Sequence, residues 1–272
     1  MHIIADIGGT KTRIVGSKDL KVFSGDPLVI DTPQQYETGL AAIGSGIRQI
    51  ASGEHIERII IGIRGLISKD HTSTHDHVLA DWSDRPLSTD LQMLVNAGSV
   101  TLNNDLTLNS IGEAVYGAGR GAPIVVYYTV STGVNATRVV RGRVEPAAQG
   151  FEAGGQYLSI TGVESLEDLV SGGAISKKYG KHPKELGKDN PLWEKLAEIF
   201  AYGLHNSIVH WSPNRVVLGG SMFNEIGISV DRVTFHLKRI MKKFPEIPEI
   251  VHSSLGDVGG LWGGLALLNQ TD

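Results

Sequence analysis

Hydrophobic positions along the chain alternate between two periods, and each change of period marks a predicted element. Residues 2–7 form a β-rich run that ends at Gly8-Gly9, residues 12–17 form a second, and residues 20–23 read as a third. Connections this short predict antiparallel hairpins. After Pro33 the period lengthens: Leu40, Ile43, Ile47 and Ile50 recur at three- and four-residue spacing and predict a helix over 34–51. The unbroken β-branched run at 58–63 reads as a buried strand. A short helix is predicted over 90–96, a strand over 99–102, and a helix over 105–116 with Asn104 or Asp105 as its cap. The order β-β-β-α-β-α-β-α describes an α/β half-molecule with one antiparallel edge.

The opening pattern then returns. A strand is predicted over 123–130, a turn at Ser131-Thr132-Gly133, and a strand over 134–140, repeating the strand, small-residue turn and strand of residues 3–15. Two structurally related halves follow from this repetition. A long amphipathic helix is predicted over 192–211, with Leu196, Ile199, Phe200, Leu204 and Ile208 on one face, stopped by Pro213 before a strand at 215–218.

Composition narrows the classes of function. The 272 residues carry 25 Lys+Arg against 29 Asp+Glu, a formal charge of −4, with no dense basic stripe, so nucleic acid is not an expected partner. No apolar run reaches the ~18 residues of a membrane span, and the first residues lack a basic, long-apolar leader. A cytoplasmic protein without a membrane partner is expected. There are no cysteines, which excludes disulfides, a thiol nucleophile and thiolate zinc sites. The 34 glycines gather in pairs between elements, where backbone must approach a ligand or another backbone.

Chemistry concentrates at two places. In Asp6-Ile-Gly-Gly-Thr-Lys-Thr-Arg13, between two strands, Gly8-Gly9 can turn backbone N–H groups toward an anion. Thr10 and Thr12 add hydroxyls, and Asp6 at the strand end can hold Mg²⁺ through water. The same residues also suit a plain tight hairpin. They are not a Walker A loop, because G-x-x-x-x-G-K-[ST] is absent and a strand follows. In Leu102-Asn-Asn-Asp105, Asp105 can accept a hydroxyl proton while Asn104 addresses neighbouring hydroxyls. The pair is equally a good helix N-cap.

Taken in order, these motifs resemble the ROK family of sugar kinases, within the sugar kinase, actin and Hsp70 superfamily of ribonuclease-H-like folds. The resemblance runs from Asp6 to Arg13 through Gly62-Ile-Arg-Gly65, Asn104-Asp105 with Gly112-Glu113, Thr132-Gly133 and Glu152-Ala-Gly154. It continues through Glu167 with Ser171-Gly172, Val217-Leu-Gly-Gly220 and the glycine-rich C-terminal helix. It implies an α/β fold of two ribonuclease-H-like domains around a central cleft, residues 1–117 completed by 256–272 and residues 118–255. It implies an ATP-dependent kinase that moves the γ-phosphoryl of MgATP to a hexose hydroxyl, most simply the 6-hydroxyl, of glucose or an amino or N-acetyl hexose. Asp105 would be the general base, and Asn104, Gly65, Glu152 and Glu167 would join it around the sugar. Asp6 would serve Mg²⁺, and Gly8, Gly9, Thr10, Lys11, Thr12, Thr132 and Gly133 the phosphates. Gly219-Gly220 would lie on the adenosine side. A homodimer is also implied.

Departures from the family pattern matter as much. A Glu-x-Gly-His segment followed by a zinc knot of one His and three Cys is usual, but Glu152-Ala-Gly154 is followed by Gly155-Gln156 in a chain without Cys. No structural zinc is expected there. Segment 157–165 must be held by packing, and the missing His contact to sugar falls to Gln156 or to nothing. Glu164 competes with Glu167 for the second carboxylate position, and the spacing to Ser171-Gly172 favours Glu167. The second phosphate turn reads Thr132-Gly-Val-Asn-Ala-Thr137 where two further glycines are usual. A sugar-binding sensor that has lost phosphotransfer is therefore the alternative. Arg64 before Gly65 places a cation on the sugar side, where it would read an anionic ligand group or pair with Asp105 or Asp81. His71, His75, Asp76 and His77 lack ligand spacing and read as solvated surface.

Overall fold

β1 (His2–Ile7) and β2 (Lys11–Ser17) pair antiparallel, as the opening pattern predicts. The computed structural model describes residues 1–145, 147, 150–224 and 227–270. β3 (Leu28–Asp31) extends the hairpin, and α1 (Tyr36–Ala51) leads into β4 (Arg58–Ile63), which lies parallel to β1. A small hairpin of β5 (Leu66–Ile67) and β6 (Thr74–His75) follows, then α2 (Leu87–Val95), β7 (Ser99–Asn104) parallel to β4, and α3 (Asp105–Val115). The sheet order is β3-β2-β1-β4-β7.

β1 and β4 are buried on both faces, which is why they read as continuous apolar runs. Ile3, Ile7, Ile59, Ile61 and Ile63 join a core with α1 and α2, whereas Ile4 and Ile60 meet Leu108 on the opposite face. The third strand predicted at 20–23 is instead a turn. Leu20 adopts a positive φ of 60°, Ser17 Oγ accepts the Leu20 N–H, and Asp19 accepts the N–H groups of Lys21 and Val22. These local side-chain bonds outcompete a ladder.

The second half repeats the plan. β8 (Ile124–Val130), β9 (Val134–Val140) and β10 (Arg143–Val144) precede α4 (Leu166–Val170), α5 (Gly172–Tyr179) and α6 (Leu192–Trp211). β11 (Arg215–Gly219), α7 (Ser221–Asn224), α8 (Val230–Ile240) and β12 (Glu249–His252) complete it. Its order, β10-β9-β8-β11-β12, matches the first sheet position for position. On α6, Leu196, Phe200, Leu204 and Ile208 are buried as predicted and Ile199 partly so.

α9 (Gly259–Asn269) returns to the first sheet and packs against β1 and β4. Its glycines permit that contact: a Cβ on Gly263 would stand 1.7 Å from the Leu108 carbonyl oxygen, and one on Gly264 2.4 Å from Ile4 Cγ2. Two compact units result, Met1–Gly112 with the segment from Asp257, and Glu113–Gly256. Within the second, the buried Glu113 carboxylate accepts the N–H groups of Ala118, Ser254 and Leu255, each at 2.8 Å. Among the described residues no helix is long and apolar enough to cross a membrane.

Candidate functional site

In the first unit, the β1–β2 turn is closed by Gly8 N–H donating to Lys11 O at 3.0 Å. The carbonyls of Gly9 and Thr10 are tied down by Gln34 Nε2 (3.1 Å) and Thr32 N–H (2.9 Å). The N–H groups of Gly9 and Thr10 have no acceptor among the described residues, which leaves two adjacent donors for an anion. Thr12, expected at the phosphates, is fully buried and its hydroxyl pairs with Thr32 at 2.9 Å. The pleat decides this: Lys11 points outward to Asp31 at 2.5 Å, and the next residue must point inward.

Asp6, Gly62 and Asn103 occupy one row across the sheet. A Cβ on Gly62 would lie 3.4 Å from Asp6 Oδ1 and 3.7 Å from Asp105 Cα, and one on Gly260 3.1 Å from Asp6 Cγ. Glycine at 260 leaves the Asp6 carboxylate room, whereas the tightest neighbour of a Cβ on Gly62 is Leu108 Cδ1 at 3.0 Å. Burial, then the nearby Asp105, pushes Asp6 up to about 7 against the opposing pull of Arg13. Arg13 is itself bound to Asp257 at 2.5 Å. Asp6 accepts no hydrogen bond among the described residues, and Asn103 Nδ2 in the same row is buried without a partner. An under-neutralised carboxylate with this neighbourhood fits a hydrated divalent cation.

Asp105 opens α3 and its Oδ1 accepts the Leu106 N–H at 2.8 Å. Burial raises its pKa, and the Leu106 N–H and Arg64 restrain the rise. A carboxylate made more basic in this way suits proton abstraction. Asn104 Oδ1 accepts the Thr107 N–H at 3.3 Å and its Nδ2 donates to Gly65 O at 3.0 Å. Capping and candidate chemistry thus coexist. Gly65 has φ +98°, and a Cβ there would meet His75 O at 2.5 Å.

Arg64 pairs with neither Asp105 nor Asp81. Its Nε lies 2.8 Å from Asp76 Oδ2, off the line of a directed hydrogen bond, while Asp81 accepts the Tyr36 N–H. The β5–β6 hairpin folds Asp76 back under Arg64, a proximity no spacing rule announces. The histidine cluster splits: His71 Nδ1 meets Leu102 O at 2.8 Å, while His75 Nδ1 meets Asp84 at 3.0 Å and its ring stands edge-on to His77 with centroids 5.6 Å apart. Among the described residues no group of three potential ligands could hold a metal by itself.

In the second unit, the β8–β9 turn closes through Ser131 N–H to Gly133 O at 2.8 Å. Its carbonyls at Ser131 and Thr132 accept the N–H groups of Gly172 and Gly173, at 2.7 and 3.0 Å. As in the first turn, two consecutive N–H groups, those of Thr132 and Gly133, have no acceptor among the described residues. Glu167 Oε2 accepts the Val134 N–H at 2.7 Å. Asn135, where the family pattern has glycine, turns away from the anion side. Its Oδ1 accepts the N–H groups of Ala136 (2.7 Å) and Ala153 (2.9 Å), and its Nδ2 holds Glu152 at 3.0 Å. Burial and the Glu167 charge raise the Glu152 pKa.

Gln156 does not reach out as a replacement for the missing histidine. Its Nε2 donates to Ala153 O at 2.9 Å and its Oε1 accepts from Asn206 Nδ2 at 3.1 Å. Its backbone carbonyl takes the Leu166 N–H at 2.8 Å, and a Ser165–Asp168 capping box starts α4. Polar bonds therefore hold the segment beside 157–165, together with a Tyr157–Ser165 bridge. Asn206 lies 50 residues away on α6, and nothing local in the sequence points to it. Gly219 ends β11, and Gly220 just after it has φ +92° with a Cβ position 2.3 Å from Val130 O.

A sequence model of the ROK family matches residues 3–271. A glucokinase of Thermotoga maritima is 29% identical, over 97% of this chain and 96% of its own length. A ROK family glucokinase of Streptomyces griseus, solved with glucose and AMPPNP, superposes with a TM-score of 0.79 at 21% identity and covers 99% of both chains. A ROK family transcriptional regulator, a homologue of the E. coli MLC protein, reaches the same TM-score at 17% identity. This chain covers 77% of that regulator's length. The fold is that of ROK sugar kinases, two sheet-bearing units of the actin-like ATPase type.

Proposed function

The chain belongs to the ROK family, and from that premise we propose that it is an ATP-dependent sugar kinase acting on a hexose. It is a phosphotransferase of the hexokinase and glucokinase type, with ATP and Mg²⁺ as cofactors. Glucose is the first substrate to test, amino and N-acetyl hexoses the next, and the 6-hydroxyl is the acceptor.

The observation that carries this reading is the Asp105 carboxylate, raised in basicity, at the start of α3 just past the end of β7, with β4 lying between β7 and the strand that carries Asp6. Asp105 takes the proton of the acceptor hydroxyl as its oxygen attacks the γ-phosphorus. A positioned base of this kind contributes roughly 10²–10⁴ in rate. Asn104, Gly65, Glu152 and Glu167 address the sugar hydroxyls, so a wrong hydroxyl pattern leaves buried polar groups unpaired. The free N–H groups of Gly9 and Thr10, and of Thr132 and Gly133, receive phosphate oxygens, with Gly219-Gly220 on the adenosine side. Mg²⁺, when bound, neutralises phosphate charge; Asp6 would hold it through water.

One observation favours a second reading. The N–H groups of Val134 and Ala136, at the start of β9 just after the second turn, are spent on Glu167 and Asn135, leaving fewer donors for phosphate. A sugar-binding regulator without phosphotransfer would tolerate this. ADP release with MgATP across glucose, mannose, fructose and their N-acetylated amines decides between the two. Sugar-dependent turnover that falls at least about a hundredfold in Asp105→Asn is expected. Sugar-dependent thermal stabilisation without turnover would overturn the kinase reading.

A further inference from the structure

We propose that Arg64 is a catalytic residue whose guanidinium meets the equatorial oxygens of the phosphoryl group in flight between nucleotide and sugar. The proposal rests on the sugar-kinase reading and adds to it a group that reading does not use.

Arg64 directly follows β4 and is fixed at both ends. Its carbonyl accepts Thr74 Oγ1 at 2.8 Å, and its Nε lies 2.8 Å from Asp76 Oδ2. Asp76 is a rigid anchor, because the same carboxylate oxygen also accepts the N–H groups of Leu79 (2.9 Å) and Val78 (3.2 Å). Anchored along one edge, the guanidinium presents Nη1 and Nη2, which have no acceptor among the described residues. A Cβ built on Gly9 would stand 3.5 Å from Nη1. The free edge therefore borders the turn that carries the unengaged Gly9 and Thr10 N–H groups. The same positive charge reaches Asp105, whose carboxyl it helps keep ionised. One cation thus borders the phosphate turn and acts electrostatically on the base that serves the acceptor.

The nearby cations are otherwise committed. Lys11 is bound to Asp31 and Arg13 to Asp257. Arg64 is 38% exposed on its side chain and retains a donor fork, the geometry that suits a phosphoryl group.

In the step itself, the acceptor O–H gives its proton to Asp105 and forms the new O–P bond. The bond from the γ-phosphorus to the β,γ-bridging oxygen breaks, and its electron pair stays on ADP. Arg64 exchanges no proton. It stabilises charge that spreads over the three equatorial oxygens of a loose transition state, where fixed donors act most strongly.

The test compares wild type, Arg64→Lys and Arg64→Ala by calorimetric affinity for MgADP and for MgADP with aluminium fluoride and sugar, alongside kcat and KM. In Arg64→Ala, the MgADP affinity is expected to stay within about twofold, while the fluoride complex weakens at least about tenfold. A fall in kcat of about 10²–10³-fold at unchanged sugar KM should accompany it. Arg64→Lys, which keeps the charge and loses the fork, should fall between, and it carries the test if the alanine variant does not fold. A kcat and fluoride affinity within about threefold of wild type in the folded variants would overturn the assignment. So would a loss confined to KM for sugars that bear a phosphate or carboxylate, since Arg64 would then be reading the sugar. A wild type that releases no ADP in response to any sugar overturns the kinase reading itself, an outcome distinct from a working kinase indifferent to Arg64.

Discussion

Replacing Asp6 by asparagine should stabilise the metal-free protein above neutral pH while removing its metal-dependent function. The folded state lifts the Asp6 pKa from 3.8 to about 7, because the carboxylate is desolvated and shares its surroundings with Asp105. Above pH 3.8 the unfolded chain releases this proton while the folded chain retains it, so stability falls as pH rises from about 4 to about 7 and is level beyond. At ~1.36 kcal/mol per pH unit, the difference between 3.8 and about 7 amounts to at most about 4 kcal/mol. Asparagine carries no such penalty. Urea unfolding in EDTA between pH 4 and pH 8 should therefore show a gap between Asp6→Asn and wild type that widens with pH and favours the variant at pH 8. Added Mg²⁺ should narrow the gap by stabilising wild type alone. A pH-independent difference, or a variant less stable than wild type at pH 8, would refute the electrostatic argument.

Gly263→Ala should cost about 3 kcal/mol or more, because its Cβ would stand 1.7 Å from the Leu108 carbonyl oxygen and two helix backbones would have to part; a thermal melt within about 1 kcal/mol of wild type would contradict this packing. Gln156→Leu should lose roughly 1–3 kcal/mol and speed amide exchange across 157–165, since Asn206 Nδ2 and Ala153 O lose their partner. Strong zinc chelators should leave the wild-type melting temperature unchanged in this cysteine-free chain, and a drop would show that a metal holds the segment after all.

Much of the fold is legible because its signals are local. The apolar stripe of α6 and the stop at Pro213 place that helix at Leu192–Trp211 without reference to any partner, and the Ile-rich run at Arg58–Ile63 announces a strand buried on both faces. Where side chains compete with backbone the pattern misleads: Leu20 and Phe23 look like strand residues, yet Ser17 and Asp19 bend the chain there and the two side chains pack against the α9 side of the sheet. The candidate site divides in the same way. Gly8-Gly9, Asn104-Asp105 and Thr132-Gly133 could be picked out because their chemistry resides in consecutive residues. Thr12 could not be judged, since its fate depends on which way the pleat turns it.

The sequence alone determined the order of elements, the repetition of the half-molecule, the absence of thiol chemistry and the residues at the two turns, since each is a matter of neighbours along the chain. Tertiary structure decided which charges and amides meet. Arg64 finds Asp76, Arg13 finds Asp257, Gln156 finds Asn206, and Gly260 clears the space beside Asp6. These pairings join segments up to 244 residues apart, and the energies that choose them depend on distance through space and on burial, neither of which has a period along the chain.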